Sequence, residues 1–145
     1  MCGIFGYIGH RNASSLLVKG LLRLEYRGYD SSGVVVKNGQ LQSYKDIGKI
    51  SEMATSLPDI KGSMGIAHTR WATHGGVTKE NAHPHLSNDG KVAIVHNGIL
   101  QNSDALRKRL KRAGVQLNSE TDSEVFCHYI AMALEEGKEP LEALQ

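Results

Sequence analysis

The second residue of the chain is a cysteine, Cys2, and its position would suit a nucleophile. Methionine aminopeptidases remove Met1 when a small residue follows it, and Cys2 would then carry both a thiol and a free α-amine. A terminal α-amine ordinarily has a pKa of about 7.7–8.0, so it can act as a general base near neutral pH. A cysteine here can also be a small residue buried at the start of a chain. Considered alone, Cys2 favours this second interpretation.

The dipeptide Asn97-Gly98 comes directly after an apolar segment at residues 91–96 and could stabilise a developing negative charge. Hydrolysis of an amide by a nucleophile needs hydrogen-bond donors where the oxyanion forms. A side-chain amide and a glycine N–H at the end of a strand are suitable donors. Asn-Gly is also a very common turn dipeptide, and on its own the pair favours a turn.

Arg70 and Asp122 could together recognise the two charged groups of an amino acid. Arg70, at the end of a predicted strand, could bind a carboxylate through two parallel hydrogen bonds. Asp122, in the first turn of a predicted helix, could accept from an ammonium group, although an acidic residue there also stabilises a helix N-terminus. Trp71 is followed by small and polar residues and could lie on a loop that closes over a small ligand.

The elements that must position these residues are short strands and helices. Apolar patterning predicts strands at residues 2–9, 34–36, 40–45, 63–69 and 91–96, with a hairpin turn at Asn38-Gly39. Helices are predicted from Asn12 or Ser14 to about Tyr26, within 46–62, from Ser103 to about Ala113, from Asp122 to about Glu136, and from Glu139 onward. Thr121 and Glu124 form the pattern of a capping box. The polar connection at residues 70–87 is long enough to indicate a functional loop.

The composition is that of one globular domain. The 145 residues are 40% apolar and 22% charged, which excludes a disordered or low-complexity chain. The net charge of +2 gives no electrostatic case for a nucleic-acid partner. No apolar run is long enough to span a membrane, and the first residues do not form a signal peptide. Two cysteines suit a reducing compartment, so we expect a cytoplasmic protein.

Three further features have ordinary structural explanations. His74, His83 and His85 invite a zinc site, but no acidic or thiol ligand lies at metal spacing, and we expect no metal. The basic run at residues 107–112 predicts a solvated helix face opposite Leu106 and Leu110. Cys127 lies in an apolar helical stretch and is expected in the core.

Six motifs follow one another along the chain: MCGIFGYIG at 1–9, RLEYRGYDSSG at 23–33, GIAHTRWATHG at 65–75, NAHPH at 81–85, VHNGI at 95–99 and SETDSEV at 119–125. In this order they resemble the class II glutamine amidotransferases. The second and third motifs are similar to the glutaminase domain of the glutamine–fructose-6-phosphate aminotransferases. They are less similar to the amidophosphoribosyltransferases, asparagine synthetases and glutamate synthases.

The resemblance implies an α+β fold, the N-terminal-nucleophile hydrolase αββα four-layer sandwich, of which residues 1–145 would be a partial glutaminase domain. It implies that Cys2 attacks the side-chain amide of glutamine, with the oxyanion bound by Asn97 and Gly98. The carboxylate and ammonium of glutamine would contact Arg70 and Asp122. Residues implied to line the substrate or to support the nucleophile are Trp71, Thr73, His74, Arg27 and Gly28.

The resemblance also implies a reaction without cofactor or metal. Ammonia leaves first, a glutamyl thioester remains on Cys2, and water then releases glutamate. In the whole synthase the ammonia would reach sugar isomerase domains and convert fructose 6-phosphate to glucosamine 6-phosphate, a step of amino sugar biosynthesis. We expect those domains to lie outside residues 1–145, as the missing partner of this chain within a homo-oligomeric parent. Two alternatives stay open: a catalytically inert fragment, and the glutaminase part of another class II amidotransferase.

Overall fold

The computed structural model describes residues 2–27, 30–73 and 75–144. The predictions made for Gly28 and His74 therefore lie outside the described residues, as does the side chain of Arg27. The strands are β1 (Gly3–Ile8), β2 (Ser31–Asn38), β3 (Gln40–Ile47), β4 (Met64–Arg70), β5 (His85–Leu86) and β6 (Ala93–Ile94). The helices are α1 (Ala13–Leu22), α2 (Ile50–Ser56), α3 (Ser103–Arg112), α4 (Asp122–Glu135) and α5 (Pro140–Ala143), with a 3₁₀ turn at Glu25–Arg27.

Strands β1 to β4 form one antiparallel sheet in the order β1-β4-β2-β3. The predicted hairpin joins β2 to β3, and Gly39 at its turn has a φ of 70°, which suits glycine. Strand β4 lies in the middle, where Thr69 is paired with Gly3 on one side and with Ser32 on the other. The end of β4 therefore lies beside the beginning of β1, the part of the chain that carries Cys2.

Helices α1 and α2 cover one face of this sheet. The core between them and the strands contains Ala13, Leu17, Leu21, Val34, Val36, Ile50, Met53, Ile60 and Ala67. Helix α1 begins as predicted, since the side chain of Asn12 accepts a hydrogen bond from the Ser14 N–H at 3.4 Å. The predicted end at Tyr26 is wrong. The helix ends at Leu22, which is 42% exposed, and the chain tightens so that the N–H of Leu24 donates to the carbonyl of Leu21.

The opposite face of the sheet carries apolar residues such as Ile4, Ile8 and Ile66 together with His68 and Arg70, and its apolar part is only partly covered by described residues. Ile4 and Ile8 alternate with the helix-facing residues of β1 and are 43% and 79% exposed. A cavity of about 740 Å³ adjoins this face, lined by Val35 and Ile66 among others and bordered by the turn at residues 89–91. Exposure of apolar side chains on a sheet face is unfavourable in water.

Strands β5 and β6 form a separate two-stranded sheet, in which His85 is paired with Ile94 and Leu86 with Ala93. The predicted strand over 91–96 is too long, because only Ala93–Ile94 is paired, and both residues are half-buried. Neighbouring strands shield a strand from solvent. Among the described residues β6 is paired on one edge only, with β5, so it is only partly buried.

Helices α3, α4 and α5 complete the described chain. Helix α4 begins at the predicted N-cap, where the hydroxyl of Thr121 accepts from the Glu124 N–H at 3.3 Å. The carboxylate of Glu124 accepts instead from the N–H groups of Asn118 and Ser119, so the predicted capping box forms only in part. Cys127 is buried as predicted, and burial raises the pKa of its thiol to about 12. Across the described ranges, no helix has the length and apolarity that a bilayer crossing requires.

Candidate active site

The sulfur of Cys2 lies against the main chain that follows β4. The Trp71 N–H donates to Cys2 Sγ at 3.3 Å, and the thiol lies 3.6 Å from the Trp71 carbonyl oxygen. The antiparallel register of β1 and β4 explains this contact, since Gly3 is paired with Thr69. Cys2 is half-buried, so its sulfur is held in place while it remains accessible from one side.

A cavity of about 290 Å³ opens beside this sulfur. Binding sites for small ligands usually begin at roughly 300 Å³, so this cavity suits a small metabolite. Seven residues predicted from the sequence line it: Cys2, Arg70, Trp71, Thr73, Asn97, Gly98 and Asp122. The fold therefore brings together residues that are far apart in the chain, from Cys2 to Asp122.

Asn97 lies between the cysteine and a buried histidine. Its Nδ2 donates to the carbonyl oxygen of Cys2 at 3.4 Å, while its Oδ1 is 2.9 Å from Nε2 of His68. Gly98, the next residue, is packed closely against the ring of His96. A Cβ at Gly98 would lie 2.6 Å from Nε2 of this ring. The amide of Asn97 thus lies between Cys2 and His68, and Gly98 lines the same cavity.

Arg70, the last residue of β4, is almost completely buried and is held from a neighbouring loop. Its Nη1 donates to the carbonyl of Gly76 at 3.1 Å, and that carbonyl also accepts from Nδ2 of Asn81 at 3.0 Å. Glu120 accepts from both the Gly76 N–H and Asn81. Burial lowers the pKa of Arg70, whereas Cys2, Asp30 and Glu120 raise it, and an arginine remains protonated at neutral pH. The cavity therefore contains a fixed cation.

Asp122, the first residue of α4, connects this helix to the loop that carries Gly98. Its Oδ2 accepts from the Leu100 N–H at 2.6 Å. A carboxylate has about four acceptor positions, so this bond leaves capacity for an ammonium group in the cavity. Asp122 can thus hold the loop and offer a negative charge at the same time.

Two of the supporting residues were not identified from the sequence. Asp30 accepts from the Ala72 N–H at 2.9 Å, and its own N–H donates to the Arg70 carbonyl, which fixes the segment carrying Trp71. Glu120 holds the loop beneath Arg70. Asp30 lies within the motif at 23–33 and Glu120 within the motif at 119–125, so membership in these motifs could have indicated them. Trp71 itself is 46% exposed and Thr73 is exposed, as a covering loop would require.

A row of buried histidines forms the wall behind Asn97. The rings of His68 and His83 are stacked at 4.4 Å, and His85 contacts His83 edge-on at 4.6 Å. His83 Nδ1 accepts from the His96 N–H, and His85 Nε2 is 2.8 Å from the Thr121 hydroxyl. Burial lowers the pKa of His68 to about 4 and that of His85 to about 3, and it also lowers the pKa of His83.

Two of these histidines, His83 and His85, belong to the zinc site that was considered in the sequence analysis. His83 and His85 contact each other and use ring nitrogens in bonds to the protein. Within residues 2–27, 30–73 and 75–144, no three metal-ligating side chains are grouped to hold an ion. Since His74 lies outside those ranges, the absence of a metal stays a prediction.

The family model described as "Glutamine amidotransferase domain" matches residues 57–145. Proteins named glutamine–fructose-6-phosphate aminotransferase [isomerizing] are similar over the whole chain. The relative from Shewanella oneidensis is 49% identical over 148 residues, and that from Thermus thermophilus is 46% identical over 153 residues. The relative from Bacteroides thetaiotaomicron is 52% identical over 90% of the chain. The chain spans about a quarter of the length of these relatives, between 22% and 25%.

Two solved structures have the same fold over 99% of the chain. The glutamine phosphoribosylpyrophosphate amidotransferase from B. subtilis, in complex with ADP and GMP, superimposes with a TM-score of 0.80 at 29% identity. The allosteric regulatory enzyme of purine biosynthesis superimposes with a TM-score of 0.82 at 31% identity. The chain covers 31% and 32% of those proteins.

The expected α+β fold of the N-terminal-nucleophile hydrolase type is confirmed by this likeness, and so is the resemblance seen in the six motifs. The family model alone covers more than half of the chain. With seven predicted residues lining one cavity beside Cys2, fold and sequence lead to the same assignment. The chain belongs to the glutamine amidotransferase domain family.

Proposed function

We propose that the chain carries the glutaminase site of a longer amidotransferase, with Cys2 as its nucleophile. The observation that carries this proposal is the grouping of a thiol, an amide donor, a buried cation and a carboxylate around one small cavity. They belong to Cys2, Asn97, Arg70 and Asp122. Free glutamine has an amide, a carboxylate and an ammonium group, and each has a chemical counterpart here.

In the proposed reaction, Met1 is first removed, so that the α-amine of Cys2 is free. This amine takes the proton from Sγ, and the sulfur attacks the side-chain carbonyl carbon of glutamine. The carbonyl oxygen becomes an oxyanion, for which Nδ2 of Asn97 and the N–H of Gly98 are the proposed donors. These donors lie beside Cys2, which supports their assignment.

Collapse of the oxyanion breaks the carbon–nitrogen bond. The α-amine of Cys2 returns its proton to the leaving nitrogen, ammonia departs, and a glutamyl thioester remains on Sγ. Water, deprotonated by the same amine, then attacks the thioester carbon, and the thiol leaves with the return of that proton. Glutamate is released and the free enzyme is restored. Proton transfers of this kind by a positioned base typically contribute 10²–10⁴-fold to a rate.

Substrate recognition is proposed to rest on two opposite charges. Arg70 would bind the α-carboxylate through paired hydrogen bonds, and Asp122 would accept from the α-ammonium group. The burial of Arg70 and the place of both residues in the same cavity support these roles. Further contacts predicted from the motifs, some of them outside the described residues, are Trp71, Thr73, His74, Arg27 and Gly28.

For the whole protein we propose the activity that its relatives are named for, with ammonia used to aminate fructose 6-phosphate to glucosamine 6-phosphate. The apolar sheet face with Ile4 and Ile8 would be covered by further chain of the same polypeptide. Residues 1–145 are then a partial glutaminase domain, and the isomerase domains are its partner. The cytoplasmic location and the homo-oligomeric state stay predictions.

A glutamine analogue with an electrophilic side chain tests the nucleophile directly. In the whole protein, peptide mass spectrometry should find the adduct on Cys2 after removal of Met1, and excess glutamine should prevent its formation. Cys127 is the internal control, because it is buried and its thiol pKa is raised to about 12. An active enzyme that is labelled elsewhere, or not at all, would refute the assignment of Cys2.

The inert-fragment alternative is favoured by one observation, the exposed apolar face of the sheet. An uncovered face of this kind promotes association and distorts a marginal domain. The proposed function and the inert-fragment alternative predict different labelling of the isolated 145-residue chain by the glutamine analogue. An inert fragment takes no label at Cys2 under any condition. Labelling of the purified chain would exclude it.

A further inference from the structure

His68 has no part in the proposed reaction, yet it contacts the amide that would bind the oxyanion. Its Nε2 lies 2.9 Å from Oδ1 of Asn97. The ring is 1% exposed and belongs to β4, two residues before Arg70. A side chain on a central strand is a rigid support, so this contact can fix how the amide of Asn97 is turned.

The surroundings of Asn97 determine which of its two polar atoms faces His68. On the other side of the amide, the carbonyl oxygen of Cys2 is 3.4 Å away, and a carbonyl oxygen can only accept. The NH2 group of Asn97 must therefore face Cys2, and its oxygen must face His68. This arrangement requires a proton on Nε2 of His68, because a bond to an amide oxygen needs a donor.

The rest of the His68 ring fits the same proton position. Its Nδ1 atom is buried and has no hydrogen-bond partner among the described residues. A proton there would be a buried donor without an acceptor, which is more costly than an unpaired lone pair. The ring is also stacked on His83 at 4.4 Å with an interplanar angle of 24°, and this packing restricts its rotation.

The charged and titratable groups around His68 favour a neutral ring. The pKa of the ring is lowered to about 4, mainly by burial. The bond to Asn97 opposes this lowering, whereas the nearby Arg70 and His96 contribute to it. His83, stacked against the ring, and His85 behind it are neutral for the same reason, their burial. Near pH 7 the ring is thus neutral with one proton to place.

We propose that His68 is a positioning residue, which keeps the NH2 group of Asn97 directed at the oxyanion by donating from Nε2 to the amide oxygen. The inference rests on the proposed glutaminase function. If the proton moved to Nδ1, Asn97 would turn to donate to Nε2. Its oxygen would then face the developing negative charge and repel it.

The effect should concern the transition state rather than the binding of glutamine. The oxyanion exists only during the reaction, whereas Arg70 and Asp122 are proposed to hold the ground state. Removing one oxyanion donor outright typically lowers kcat by about 10²–10³-fold. Loss of its orientation should lower kcat by roughly 10–100-fold, with the KM for glutamine changed less than about threefold.

A matched pair of variants tests this in the whole protein. Glutamine places an amide N–H near the position of Nε2, and methionine has a similar shape without a donor. We expect His68→Met to lose kcat by the amount above and His68→Gln to recover most of the loss. In an Asn97→Ala background, His68→Met should have little further effect, because the group that it positions is gone.

A measurement on the unmodified protein keeps the inference testable if the variants fold poorly. The nitrogen-15 shifts of the His68 ring should show a neutral imidazole with its proton on Nε2 at pH 7. A proton on Nδ1, a charged ring, or an unchanged kcat in a folded His68→Met variant would overturn the inference. Failure of the proposed function differs from all three, because an unmodified protein would then release no glutamate from glutamine.

Discussion

The sulfur of Cys2 accepts a hydrogen bond from the main-chain N–H of Trp71 at 3.3 Å, across 69 residues of sequence. The thiol that we propose as the nucleophile is therefore held by the backbone directly after β4, the strand that ends at Arg70. Asn97 also contacts this residue, since its Nδ2 donates to the carbonyl oxygen of Cys2 at 3.4 Å. The position of the thiol and that of Arg70, the proposed carboxylate contact, thus both depend on one central strand.

The first prediction concerns the buried cation. Arg70→Gln should raise the KM for glutamine on the order of 100-fold, because loss of one partner of a desolvated charge pair costs several kcal/mol. Arg70→Lys should recover only part of the loss, since a lysine has no planar pair of donors. The measurement is glutamate release over a range of glutamine concentrations.

Arg109→Gln is the matched control for that experiment, because Arg109 lies on the exposed face of α3, over the ring of Tyr129. Its KM should equal that of the unmodified protein. An Arg70→Gln variant with an unchanged KM would show that the glutamine carboxylate is bound elsewhere.

The second prediction separates the two roles of Asp122. Asp122→Asn keeps an oxygen that can accept from the Leu100 N–H, but it removes the negative charge. We expect this variant to fold normally and to bind glutamine at least tenfold more weakly, because a charge-assisted bond worth about 1.5–3 kcal/mol becomes a neutral one.

Asp122→Ala loses the bond to Leu100 as well, so its free energy of unfolding should fall by about 1 kcal/mol relative to Asp122→Asn. Urea denaturation of both variants measures this difference. Equal glutamine affinity in Asp122→Asn and the unmodified protein would argue against a contact with the ammonium group.

The third prediction concerns pH. Burial holds the pKa of His68 at about 4 and that of His85 at about 3, below the value of about 6.5 expected in the unfolded chain. Between these values the unfolded state binds more protons. The free energy of unfolding should therefore fall as the pH drops below about 6.5, by up to about 1.4 kcal/mol per pH unit for each histidine.

His85→Gln tests that pH dependence without removing the bond to Thr121, since a glutamine amide can still reach the hydroxyl. Between pH 6 and pH 4 its unfolding free energy should depend less steeply on pH, by about one proton. An unchanged slope would show that His85 is charged in the folded state.

The fourth prediction concerns the isolated chain. With Ile8 79% exposed on a sheet face that is only partly covered, the purified 145 residues should self-associate and release little or no glutamate. Size-exclusion chromatography and a glutaminase assay measure both properties. Robust glutamate release by a monomeric chain would contradict this prediction and would show that residues 1–145 suffice.

Much of the site could be predicted from the sequence because motifs record local chemistry. Cys2 and Asn97-Gly98 each favour an ordinary structural interpretation when considered alone. The six motifs together imply a nucleophile and oxyanion donors at these positions, and the structure places all three residues at one cavity. The Asn38-Gly39 hairpin and the Thr121 N-cap are likewise local, and both are confirmed.

The features missed from the sequence depend on contacts between distant segments. The contact of His68 with Asn97, and the bonds of Asp30 and Glu120 to loops, exist only once β4 lies between β1 and β2. The shortening of the strand at 91–96 to Ala93–Ile94 reflects the neighbours available to it, which apolar patterning does not report. Helix α1 ends at Leu22 although its apolar residues continue to Leu24.

The most direct test of the central proposal is Cys2→Ala in the whole protein, with glutamine or ammonia as the nitrogen source and Cys127→Ala as the matched control. If Cys2 is the nucleophile, Cys2→Ala abolishes glutamate release and all glutamine-dependent amination, while ammonia-dependent amination and the control variant remain active. Glutamine-dependent amination that persists in Cys2→Ala would contradict the assignment of Cys2.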